Sequence, residues 1–160
     1  MRAPQAYRTM RLLGLVATLI ASGAGAQSEK KLPYWVSIAK DEARMRVGPS
    51  MDYPANWIYR RKNLPVKVIE VYPNWRKIED PDGTTGWMHV RLLKEDRTAI
   101  IVSETAPMRS DPSDGATILY RAEPGVVGRV SGCDANWCKF DVNGQRGYES
   151  KRLLWGATSE

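Results

Sequence analysis

The chain has 160 residues, with 24 Lys plus Arg against 18 Asp plus Glu and a formal net charge of +6. Arg2, Arg8 and Arg11 fall in the first 26 residues, so the remainder carries only 21 basic against 18 acidic groups. That excess is too small to mark a nucleic-acid binder by composition. One His and two Cys are too few to furnish the ligand set of a zinc hydrolase.

Residues 1–26 read as a secretory leader. Arg2, Arg8 and Arg11 precede an uncharged apolar run over 12–21, and Ala24-Gly25-Ala26 before Gln27 has the small-x-small form of a cleavage site. Cleavage is expected between Ala26 and Gln27. The run is about half the roughly 20 residues that a bilayer span requires. The product is therefore expected to be exported, periplasmic or secreted, with no stable membrane insertion once the leader is gone. Residues 27–33 are polar and read as a flexible lead-in.

A first unit is expected over 34–94. Trp35, Val36 and Ile38 open it, and Ala43-Arg44-Met45-Arg46-Val47 alternates with a period of two. Gly48-Pro49-Ser50 ends that strand, since Pro49 has no N–H for a ladder. Trp57-Ile58-Tyr59-Arg60 forms the next apolar run and Arg61-Lys62-Asn63 a polar turn. The β-branched stretch 66–72 is a strand, with Val66, Val68 and Val71 expected inward. Residues 75–79 pair with it. Asp82-Gly83 closes a hairpin, and residues 84–89 return. Residues 90–93 suit a single 3₁₀ turn. Residues 94–97 are a short charged joint without Gly or Pro, so two units joined by it should lie close together.

A second unit is expected over 98–155, because the pattern returns. Asn74-Trp75-Arg76-Lys77-Ile78-Glu79, then Asp82-Gly83, Gly86-Trp87 and Arg91-Leu92-Leu93, is matched by Asn136-Trp137-Cys138-Lys139-Phe140-Asp141, then Asn143-Gly144, Gly147-Tyr148 and Arg152-Leu153-Leu154. Internal repetition of this kind means one small structural module used twice. On the same alignment Ile118-Leu119-Tyr120-Arg121 corresponds to Trp57-Ile58-Tyr59-Arg60. Residues 156–160 read as a disordered tail. Cys133 and Cys138 flank a short loop between strands. In an exported protein an even Cys count reads as a disulfide.

Short strands, tight turns and a 3₁₀ element in each unit describe an all-β protein of two small antiparallel barrels. Arg44-Met45-Arg46-Val47-Gly48-Pro49-Ser50, with Tyr53-Pro54, resembles the opening of bacterial SH3 (SH3b) domains. The Trp75 and Trp137 strands, the Gly86-Trp87 and Gly147-Tyr148 strands and the final Leu-Leu pairs are also similar to that family. The resemblance implies tandem SH3-like barrels that bind cell-wall peptide, possible ligands including peptidoglycan, or another envelope protein. It implies no cofactor and no metal.

Catalysis is not expected. His89 is the only His, both Cys are taken up by a disulfide, and no Gly-x-Ser-x-Gly turn occurs. Binding has more material. Tyr53, Trp57, Tyr59 and Tyr120 are aromatic residues near expected loops, and Arg60, Arg61 and Lys62 lie beside them. Aromatics next to cations suit extended peptides. The repeat alignment also offers a core role for Trp57 and Tyr59, and core or rim packing for Trp75 and Trp137.

Overall fold

The computed structural model describes residues 30–102 and 104–157. Residues 1–29, which hold the expected leader and its cleavage site at Ala26 and Gln27, lie outside them. Strands dominate the described chain, with two short 3₁₀ turns as the helical elements among the described residues. The first sheet is built from β1 (Tyr34–Ile38), β2 (Ala43–Arg46), β3 (Ala55–Tyr59), β4 (Pro65–Tyr72), β5 (Trp75–Glu79), β6 (Thr85–His89) and, after a 3₁₀ turn at Val90–Leu92, β7 (Leu93–Lys94). The second is built from β8 (Thr98–Ile101), β9 (Ala106–Arg109), β10 (Ile118–Ala122), β11 (Val127–Cys133), β12 (Trp137–Val142), β13 (Gln145–Ser150) and, after a 3₁₀ turn at Lys151–Leu153, β14 (Leu154–Trp155).

Both sheets are antiparallel and share one topology. Their strand orders are β3-β2-β6-β5-β4-β1-β7 and β10-β9-β13-β12-β11-β8-β14. Each sheet has seven strands, the last being the two-residue β7 or β14 that follows the 3₁₀ turn.

Alternation explains the strands. In β4, Val66 and Val68 are fully buried, while Lys67 between them pairs with Glu79 across the sheet at 2.9 Å. Val71 is 47% exposed, contrary to the inward placement expected for it. The pairing of β1 with β4 reaches only Tyr34 opposite Val68, so the hairpin arm carrying Val71 projects past the core. The β12–β13 hairpin turns at Asn143 and Gly144, whose φ angles of 53° and 92° are those a two-residue turn of this hand demands.

Each unit has its own core. Ile38, Met45, Val66, Val68, Ile78 and Met88 are at the centre of the first, and Ile101, Met108, Val130 and Phe140 of the second. A core of this size is near the lower limit for independent stability, and the units share side chains. Ile100 of β8 packs into the first core, with Trp155 against its margin. The rings of Trp35 and Trp155 meet edge to face at 4.5 Å. Thr98 Oγ1 donates to the Asn63 carbonyl at 2.7 Å and Ser37 Oγ to the Asp96 carbonyl at 2.5 Å.

The first two residues of the expected tail are packed against the fold. Gly156 and Ala157 are buried, and a Cβ on Gly156 would stand 2.7 Å from the Thr98 carbonyl and 3.0 Å from Pro65. The seam between the units holds these two residues in place. At the other end, the polar lead-in is tied at Lys30, which pairs with Glu95 at 2.5 Å.

The Cys133–Cys138 disulfide is present, with a Cα–Cα distance of 4.0 Å. It joins directly opposed residues of β11 and β12, at the register position that Val71 and Arg76 hold in the first unit.

Candidate ligand groove between the two units

Strand β3 is at the end of its sheet, so one of its edges has no neighbouring strand. Trp57, 51% exposed, and Ile58, 42% exposed, project from it. Beside this edge runs a groove of about 430 Å³. Trp57, Tyr59, Arg60 and Arg61 form one wall, and Ile100, Ile101, Val102 and Gly125 of the second unit form the other. Asp80, Pro81 and Asp82, on the β5–β6 turn, line it as well.

Asp80 fixes that turn. It is 3% exposed. Its Oδ1 accepts the N–H groups of Asp82 at 3.0 Å and Thr84 at 2.8 Å. Its Oδ2 accepts the Tyr59 hydroxyl at 2.9 Å. Burial raises the Tyr59 phenol well above its ordinary pKa, and the hydrogen bond to Asp80 adds to the effect, so the hydroxyl stays protonated as a donor. Arg61 spans the groove and donates to the Gly125 carbonyl. Arg60 has its charged end in solvent, 3.7 Å from Glu42.

The sequence-derived candidates therefore separate. Trp57, Arg60 and Arg61 come together at the groove. Trp57 is exposed and not the core residue that the repeat alignment allowed. Tyr59 is corrected in the opposite sense: it is only 6% exposed, its ring turned into the first core, so it supports the groove and offers a ligand little surface. The sequence alignment of this strand is out of step by two residues. Met45 opposes Trp57 and Ala43 opposes Tyr59, whereas Met108 opposes Tyr120 and Ala106 opposes Ala122. Tyr120 is thus the counterpart of Trp57. It is 38% exposed but stands on the other sheet, away from the groove. Lys62 turns toward a different cleft at the joint between units.

Tyr53, 47% exposed, sits in the β2–β3 loop, held by Arg46 Nη1 donating to its carbonyl at 2.5 Å. Its ring lies over Gly48, where an added Cβ would stand 2.6 Å from ring carbons. Gly48 is buried beneath that ring, and Gly48→Ala is expected to swing the exposed Tyr53 ring outward at a cost of about 1 kcal/mol, the centre of the range for single substitutions. Two-dimensional NMR checks this: the Tyr53 ring resonances should move while those of the core methyls stay.

His89 stands apart from the groove. Its Nδ1 accepts the Arg91 N–H at 3.2 Å, and its ring meets Trp75 edge to face at 5.2 Å. Desolvation, with a smaller contribution from Arg91, holds its pKa below the usual imidazole value. Trp75 is buried, at 7% exposure, and Trp137 is half-buried.

The profile described as "Bacterial SH3 domain" matches residues 39–95 and again residues 102–156. The chain belongs to the bacterial SH3 domain family. The two bacterial SH3 domains carry the repeat seen in the sequence, one on each sheet. No curated protein matches the chain. Among solved structures, it is similar to NlpC2 from Trichomonas vaginalis, at 12% identity and a TM-score of 0.36 over 77% of this chain and 48% of that one. It is similar also to NlpC1 from the same organism, at 13% identity and 0.35 over 81% and 48%. An NlpC/P60 family protein from Bacillus cereus gives 14% identity and 0.34 over 77% and 57%. The chain thus spans about half the length of these proteins.

The second-unit wall of the groove went unseen in the sequence, because it depends on how the two domains dock. Asp80 did leave a trace. It occupies the register position that Val142 has in the second domain, a polar residue where the repeat calls for an apolar one.

Proposed function

We propose that this chain is an exported, non-catalytic binding protein whose inter-domain groove takes an extended peptide of the cell envelope, the peptide of peptidoglycan being the first candidate. The observation that carries this reading is Trp57 on an unpaired strand edge above a groove walled by both domains. An extended peptide gains main-chain hydrogen bonds from such an edge and side-chain contacts from the pockets beside it. The exposed Trp57 and Val102 supply apolar surface on the two walls, while Arg60 and Asp82 offer opposite charges. Membership of the bacterial SH3 family supports a binding role at the envelope. A non-catalytic role is supported by the state of the reactive groups: the thiols are joined in a disulfide, and His89 Nδ1 is engaged by a backbone N–H. Export rests on the leader read from residues 1–26.

Co-sedimentation with purified peptidoglycan tests the reading. Trp57→Ala with Arg60→Ala is expected to weaken retention about 30-fold, the scale of losing an aromatic anchor worth about 2 kcal/mol. Equal retention would reject the groove as the site. A second reading, docking of another envelope protein, is favoured by the exposed Ile118, Leu119 and Tyr120 on the second edge strand, β10. Absent sedimentation together with a stably co-purifying protein would select it.

A further inference from the structure

The repeat supplies an internal comparison on the outer face of the central strands. In the first domain, β4, β5 and β6 align Lys67 with Glu79 and Thr85, and Glu70 with Lys77 and Trp87. Each base there has an acid, at 2.9 Å for Lys67–Glu79 and 3.4 Å for Lys77–Glu70. In the second domain, β11, β12 and β13 align Arg129 with Asp141 and Arg146, and Ser131 with Lys139 and Tyr148. Ser131 stands where the acid Glu70 was, and Arg146 where the neutral Thr85 was. The face is charge-balanced in one domain and carries three bases against one acid in the other. The acid is already engaged: Asp141 Oδ2 accepts from Arg146 at 2.8 Å and Oδ1 from the Gly144 N–H at 2.7 Å.

This face is concave and continuous with the joint. A cavity of about 520 Å³ over it and a cleft of about 440 Å³ at the joint share Arg129, Asp141 and Arg146. The joint adds Lys62 and Lys94, the latter paired with Asp96 at 2.8 Å. Composition hides this feature, since residues 98–160 hold seven bases and eight acids.

We propose that this face and cleft form a second ligand site, separate from the groove at Trp57, for a multivalent oxyanion carrying two or more phosphate or carboxylate groups. The cations are spread over three strands about 4.8 Å apart and on to the joint, so one small monoanion reaches few of them. Tyr148, half-buried beside Lys139, gives the ligand's backbone a flat surface to lie on. Lys62 comes from the first domain and Arg129 from the second, so an occupant bridges both.

Isothermal titration of the whole protein with tripolyphosphate, and separately with citrate, tests the site. Affinity for at least one probe should fall about tenfold or more between low ionic strength and about 0.2 M salt, as counterion release requires. The two probes separate phosphate from carboxylate as the preferred group. Ser131→Glu with Arg146→Thr installs the residue types of the first domain and should weaken binding about tenfold or more, with the melting temperature held as a folding control. Lys62→Ala, an exposed change, should weaken it several-fold. Trp57→Ala with Arg60→Ala should leave it unchanged, so failure here and failure of the peptide groove are distinct results. Absence of binding to both probes at low salt, or binding that the Ser131/Arg146 variant retains, would overturn the proposal.

Discussion

Asp80→Ala is expected to destabilise the protein by about 3 kcal/mol, and to loosen the groove with it. The carboxylate is buried and accepts three hydrogen bonds, from Tyr59 and from the N–H groups of Asp82 and Thr84. Truncation leaves these donors without their acceptor, and each buried donor left unmet costs about 1–3 kcal/mol. Water reaching the exposed turn recovers part of that, hence a value below the sum. Denaturant unfolding followed by Trp fluorescence measures it. The second domain shows how the position is filled without polar groups, since Ala122 and Val142 occupy the places of Tyr59 and Asp80. Tyr59→Ala with Asp80→Val should therefore cost less than the two single changes added together. A double-mutant cycle reports the difference as a coupling energy, and strictly additive losses would show that the pair does not act as one unit.

Glu149→Met is expected to raise stability by about 1–3 kcal/mol at neutral pH, the cost that a buried polar atom without a partner imposes and that the substitution removes. Glu149 is fully buried in β13 opposite Cys138. One of its oxygens accepts from the Ser150 N–H at 2.9 Å, and the other has no hydrogen-bond partner. The first domain holds Met88 at this register position, fully buried. Desolvation raises the Glu149 carboxyl above its ordinary pKa, against smaller opposing effects of the Ser150 N–H, Arg109 and Arg152. A carboxyl raised in the folded state contributes stability that is complete below its unfolded pKa, about 4.3. That contribution is lost as pH rises through the folded value. The advantage of the Met variant should thus be small in acid and grow toward neutral pH. Asp134 and Asp141 run the other way. Backbone N–H groups lower the first and Arg146 chiefly lowers the second, so their contributions are lost as pH falls. Both are present in each protein and cancel in the comparison. Thermal melts across the acid to neutral range check the trend, and an advantage independent of pH would contradict it.

The fold was legible because its signals are local. Two-residue alternation, the Asn143-Gly144 turn and the recurring Trp-x-x-Ile/Phe strand each depend on a few adjacent residues. The two cysteines flanking one loop announced their bond in the same way. The site was legible only in part. Trp57, Arg60 and Arg61 were found because an aromatic beside cations is itself a short pattern. Whether Trp57 or Tyr59 faced solvent depended on strand phase. Both copies carry the same bulge, and Met45–Trp57 corresponds to Met108–Tyr120; matching Tyr120 to Tyr59 by residue type slid the strand by two positions and sent the wrong ring outward. The far wall of the groove could not be read at all, because Ile100 and Gly125 come to line it with Trp57 only through docking. The cationic face emerged from comparing cross-strand partners, which requires the register of both sheets.

Because Ile100 is packed within the first core and Gly156 is wedged against Pro65, neither half of this molecule is a free-standing cassette. Severing the chain at the joint would leave a hole in one piece and a greasy stump on the other. Swapping either copy for a relative's should fail unless the seam residues travel with it, so the pair behaves as one block.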